Sequence, residues 1–110
     1  MYNPGLAGRV AEYSALSILK SDGFQAEKIS GQSRRFDIIA WNREDILGLV
    51  IRTSRSKGIT GFPSLVAELA ELVQKRLFPG EIQVWILQSH EWKQYQVLPG
   101  GAVLCTRRSA

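Results

Sequence analysis

Two neighbouring segments, residues 36–41 and 46–53, restrict the fold of this chain more than any other feature. The first carries aliphatic and aromatic residues on both faces, the second is rich in β-branched and aliphatic residues, and the Asn-Arg-Glu-Asp between them has the composition of a hairpin turn. Strands that are apolar on both sides must be covered on both sides, which places them inside a sheet with helices packed against it. A single charge, Asp37, interrupts the first segment.

Two helices are available to cover that sheet. Residues 5–22 carry Leu6, Val10, Tyr13, Leu16, Ile18 and Leu19 at helical spacing, and Gly23 stops the run. Pro63 and Ser64 open a second helix reaching about Leu77, with Leu65, Leu69, Leu72 and Val73 as its buried stripe and Glu71 with Lys75 as an i,i+4 pair. Further strands are expected at 25–29, 82–87, 94–98 and 102–106. A turn of His90, Glu91 and Trp92 joins the middle two, and Pro99-Gly100-Gly101 leads to the last. Residues 54–62 are polar and basic, hold Gly58 and Gly61, and are expected to form a mobile loop. The predicted order is α-β-β-β-α-β plus a hairpin, an α/β fold with a central mixed sheet flanked by helices.

The 110 residues, 45% of them apolar, suit one domain over 1–110. No apolar run nears the roughly 20 residues of a membrane span, and the first residues lack the layout of a signal peptide, so a cytoplasmic protein is expected. Cys105 is the only cysteine, which excludes an internal disulfide. A net charge of +4 permits a polyanionic partner.

The element order and three local patterns resemble the PD-(D/E)XK nuclease superfamily, in particular the archaeal Holliday junction resolvase-like proteins. The patterns are Gly8, Glu12 and Gly23-Phe24 around the first helix; Phe36-Asp37-Ile38-Ile39-Ala40; and Leu49-Val50-Ile51-Arg52-Thr53-Ser54-Arg55. The resemblance implies a restriction-endonuclease-like core. It also implies a site in which Asp37, a helix-borne Glu12 and a Glu-x-Lys pair on the third strand hold Mg²⁺ or Mn²⁺. Such a metal activates water and stabilises charge on the phosphate. The chain departs from the pattern where the chemistry is concentrated. Val50 stands at the glutamate position and Arg52 at the lysine position. Valine offers no lone pair, and arginine stays protonated and cannot act as a base. Asp37 and Glu12 would hold a metal weakly, if at all, so no cofactor is expected unless activity remains. If Val50 and Arg52 face the same hollow as Asp37, the guanidinium takes the place of the cation.

Arg34, Arg35, Arg52, Arg55 and Lys57 are expected to ring one sheet edge and contact phosphates of nucleic acid, DNA foremost. Three readings follow: a non-catalytic nucleic-acid-binding relative of a resolvase, homodimeric by resemblance; a weak endonuclease rerouted through Asp37, Glu12 and Glu68 or Glu71; and a regulatory subunit docking through its C-terminal hairpin. Glu68 and Glu71 also suit an ordinary wet helix face. His90 has no partner at metal-ligand spacing. Trp41, Trp85 and Trp92 suit a core or strand face better than a base-stacking platform.

Overall fold

The computed structural model describes residues 4–55 and 58–105, with side chains from Gly8 onward. Helix α1 (Pro4–Ser21) is followed by β1 (Gln25–Lys28), β2 (Ile38–Trp41) and β3 (Ile46–Ser54). A 3₁₀ turn (Ile59–Gly61) and helix α2 (Pro63–Gln74) lead to β4 (Glu81–Gln88), β5 (Glu91–Leu98) and β6 (Gly101–Leu104). The six strands form one sheet in chain order. Only β3 and β4 run parallel, because α2 carries the chain back between them; every other pair is antiparallel. The expected α-β-β-β-α-β order with a C-terminal hairpin is the observed one. No helix among the described residues is long and apolar enough to cross a membrane.

Both faces of the sheet are covered, as the doubly apolar strands require. Leu47, Leu49 and Ile51 of β3 join Ala11, Ala15 and Leu19 of α1 in one core cluster. Val50, Ile82, Val84 and Ile86 join Leu69 and Ala70 of α2 in the other. The buried stripe of α1 differs from the expected one: Val10 and Tyr13 are exposed, and Ala11, Ala15 and Leu19 face the sheet at i, i+4, i+8. Two alanines let the helix lie close to strands that carry branched side chains. Leu6 falls outside the described side chains.

The helix ends follow local chemistry. At the end of α1, Phe24 N–H donates to the Leu19 carbonyl at 3.0 Å and Gly23 N–H to that of Lys20 at 3.1 Å. Gly23 sits at φ +93°, so this is a Schellman closure on glycine. Helix α2 closes the same way, Leu77 N–H to Leu72 at 3.0 Å and Arg76 N–H to Val73 at 3.2 Å, with Arg76 at φ +55°. That closure ends the helix at Gln74 rather than near Leu77.

Three other boundaries moved. The β4–β5 turn consists of Ser89 and His90, both at positive φ, and Trp92 lies within β5, its ring 5.7 Å from that of Trp85. A two-residue turn with positive φ at both positions matches the twist of a hairpin. The segment expected to be a mobile loop is anchored at its far end, because Ile59 and Phe62 pack on the α2-side cluster. Phe36 and Asp37 precede β2 rather than open it. Phe36 packs with the α2-side cluster and Ile38 with the α1-side cluster. Residues two apart on a regular strand share a face, so the alternation breaks at Asp37.

Candidate functional site

That break positions the site. Asp37 is held by its backbone between two strands: its N–H donates to the Leu49 carbonyl, and its own carbonyl accepts from Ile29 N–H, both at 2.8 Å. Its carboxylate is then free to take a backbone donor of β3, and Oδ2 accepts Ile51 N–H at 2.8 Å. The group is 6% exposed. Burying a carboxylate so deeply requires hydrogen bonds and opposite charge.

Two guanidinium groups supply the charge. Arg34 Nε donates to Asp37 Oδ1 at 3.0 Å, and Arg52 Nη1 reaches Oδ2 at 3.3 Å while also donating to the Ile51 carbonyl at 2.9 Å. Arg34 is fixed further by the Gly31 carbonyl, 2.8 Å from Nη1, in the turn before β2. Its Nη2 lies 3.8 Å from Glu12 Oε2. Glu12, on the sheet-facing side of α1 and 8% exposed, completes its pairing with Lys28 of β1, Nζ to Oε1 at 3.2 Å. The Lys28 ammonium also lies 5.4 Å from the centre of the Tyr13 ring.

Glu12, Asp37 and Arg52 thus meet in one network, and with Arg9, Lys28, Ser30, Arg34 and Ile51 they line a cavity of about 340 Å³. Val50 does not line it. Its side chain packs into the cluster under α2, so the expectation that Val50 and Arg52 both face the hollow holds for the arginine only. The valine is drawn into the apolar layer beside Ile82 and Val84, whereas Arg52 lies where the strand leaves that layer and its long side chain returns to Asp37.

The basic residues separate into different roles. Arg34, expected to contact phosphate, bridges Asp37, Glu12 and the Gly31 carbonyl. Arg35 pairs with Glu68 of α2 at 3.1 Å, both side chains well exposed. Arg55 is exposed, and its carbonyl accepts from Ser89 Oγ at 3.3 Å. Lys57 lies outside the described residues. Glu68 and Glu71 are turned away from the cavity: Glu71 bonds Lys75 at 2.8 Å, and this partner holds its carboxyl below the ordinary value. The strand arithmetic missed Lys28, Ile51 N–H and Arg9. Arg9 stands three residues before Glu12, so helical spacing would have found it.

A divalent cation suits this donor set poorly. A hard cation binds through oxygen, yet each of the four carboxylate oxygens of Asp37 and Glu12 already faces a cationic side chain. Among the described residues no three His, Cys, Asp or Glu side chains are grouped for a metal. A larger cavity of about 520 Å³ lies between α2 and residues 99–102. Its lining is mostly apolar, and its one charged group, Glu71, is neutralised by Lys75.

Neither a family model nor a curated protein sequence matches the chain. Solved structures do. Hjc of Archaeoglobus fulgidus, a Holliday junction resolvase from an archaeal hyperthermophile, is similar with a TM-score of 0.64 and 21% identity, over 83% of this chain and 73% of that one. The crystal structure of SSO0001 is similar with a TM-score of 0.59 and 19% identity, over 86% of this chain. The match spans 52%, about half, of the SSO0001 chain. The chain therefore has the fold of an archaeal Holliday junction resolvase, the restriction-endonuclease-like fold that its motifs resemble.

Proposed function

We propose that this chain is a nucleic-acid-binding protein of the resolvase fold that holds DNA without cutting it, acting in the cytoplasm as a homodimer. One observation carries the reading: the two carboxylates that the resemblance assigns to a metal are closed by Arg34, Arg52 and Lys28. A guanidinium beside Asp37 supplies positive charge at a fixed point and pairs with phosphate, but it cannot generate a nucleophile from water as a metal does. Binding through such groups is salt-sensitive and tolerant of sequence, since phosphates carry no base identity. Branched DNA is the first substrate to try, because the similar Archaeoglobus protein is a Holliday junction resolvase.

The test is a gel shift with a four-way junction, a duplex and a single strand at two salt concentrations. The reading expects a shift at low salt that weakens steeply as salt rises, with no cleavage of supercoiled plasmid in Mn²⁺. Absence of any shift at low salt contradicts it, and so does plasmid nicking that Asp37→Ala abolishes. A second reading, docking to a partner protein, draws on the edge strand β6, where Val103 and Leu104 are exposed. Light scattering after size exclusion tests the homodimer, and a monomer mass at micromolar concentration removes it.

A further inference from the structure

We infer that the cavity beside Asp37 receives a phosphate monoester, the terminal phosphate of a nucleic-acid strand, in preference to an internal phosphodiester. The inference rests on the reading of this face as nucleic-acid-binding and specifies which phosphate enters it.

Charge is the first argument. Six ionisable side chains line the cavity: Arg9, Glu12, Lys28, Arg34, Asp37 and Arg52. Four are cations and two are carboxylates, which leaves a formal charge of +2. A phosphate monoester carries roughly −1.5 to −2 at pH 7 and neutralises that excess, whereas an internal diester carries a single charge and leaves the cavity positive. The carboxylates do not stand bare against an anion, because every one of their oxygens faces Arg34, Arg52 or Lys28.

Donor supply is the second argument. Arg52 spends Nη1 on Asp37 and on the Ile51 carbonyl, and its Nε and Nη2 make no hydrogen bond among the described residues. Arg9 is exposed on the cavity wall and forms no ion pair among the described residues. The Lys28 ammonium uses one contact on Glu12 and keeps further N–H groups. Ser30 is on the lining. These are the charge-assisted donors that phosphate oxygens require.

Shape is the third. About 340 Å³ lies at the small end of ordinary ligand sites, roughly 300–1,000 Å³, and the two carboxylates on its lining are almost fully buried. A strand end is tethered on one side and can bring its phosphate down into a hollow. An internal phosphate has chain on both sides, which holds it at the rim.

Fluorescence anisotropy of one labelled oligonucleotide in 5′-phosphorylated, 3′-phosphorylated and hydroxyl-ended forms tests this directly. At least one phosphorylated form is expected to bind about tenfold more tightly than the hydroxyl form, the effect of one additional charge-assisted hydrogen bond. Arg9→Gln, at an exposed position outside the ion network, is expected to remove that preference, and so is Arg52→Gln. Equal affinity of all three forms overturns the inference and leaves the nucleic-acid reading standing; binding of no form overturns both. A preference that survives both substitutions places the terminal phosphate elsewhere and equally overturns the assignment.

Discussion

Replacing Asp37 by Asn separates a carboxylate kept for structure from one kept for chemistry. The substitution preserves shape and leaves an oxygen to accept Ile51 N–H. That oxygen is the one Arg52 Nη1 also reaches, so the amide nitrogen meets Arg34 Nε, donor against donor, where the carboxylate accepts at 3.0 Å. Removing one partner of a fully buried ion pair costs about 3–5 kcal/mol, mostly from the charge left behind. Here the stranded charges have an outlet, since the Arg34 and Arg52 side chains are 35% and 41% exposed. Water screens exposed pairs to about 1 kcal/mol or less, so a value between these limits, about 2–3 kcal/mol, is expected. Urea unfolding followed by circular dichroism should show a lower midpoint at an unchanged slope. The melting temperature should fall by about 10 °C, taking about 4 °C per kcal/mol for a chain of this size. The same change removes a negative charge from a cavity with excess positive charge, so affinity for DNA should rise while stability falls. A neutral or stabilising Asp37→Asn refutes the reasoning, because that is the response of a carboxylate repelled by its neighbours while awaiting a metal.

Three further outcomes follow from the same geometry. Val50→Glu, which restores the residue type that the nuclease resemblance wants, places a carboxylate in the apolar cluster under α2; it should cost at least about 3 kcal/mol in urea unfolding and create no nuclease. An unaltered midpoint would mean that position 50 faces the cavity. Arg76→Gly relieves a left-handed backbone at φ +55° and should raise stability by about 0.5–1 kcal/mol, measured by thermal melting. Glu71 titrates below the ordinary carboxylate value because Lys75 bonds it. Its folded value is depressed, so its contribution to stability is present at neutral pH and is lost as pH falls through that lowered value. Lys75→Met should return Glu71 to about 4.5 by NMR titration, and a Glu71 that stays depressed in that variant would exclude Lys75 as the cause.

The architecture was legible because it follows from burial. Strands apolar on both faces need two layers of cover, and the two amphipathic helices supply them. The meeting of Asp37 with Arg52 was legible for a similar reason: β2 pairs Ile38 with Leu49, so counting along the hairpin brings the start of one strand beside the end of the other. What escaped sequence reading was local. Nothing in the composition of residues 30–35 says that the turn folds Arg34 back onto Asp37, because that depends on the course of the backbone past Gly31. The backbone donor at Ile51 is invisible to any argument from side chains. Counting by twos assigned Val50 to the hollow, whereas the break in alternation at Asp37 lets a carboxylate reach Arg52 without sharing its layer with the valine. In α1 the large apolar residues at helical spacing do not mark the buried face, because close packing on branched strands favours Ala11 and Ala15.

Isothermal titration calorimetry with Mn²⁺ puts the whole account at risk. With Arg34, Arg52 and Lys28 already on the Asp37 and Glu12 oxygens, no heat of binding is expected at micromolar metal, and inorganic phosphate should bind in its place. A micromolar Mn²⁺ site that disappears in Asp37→Ala would show that the carboxylates release their cationic partners for a metal, and the account would fail.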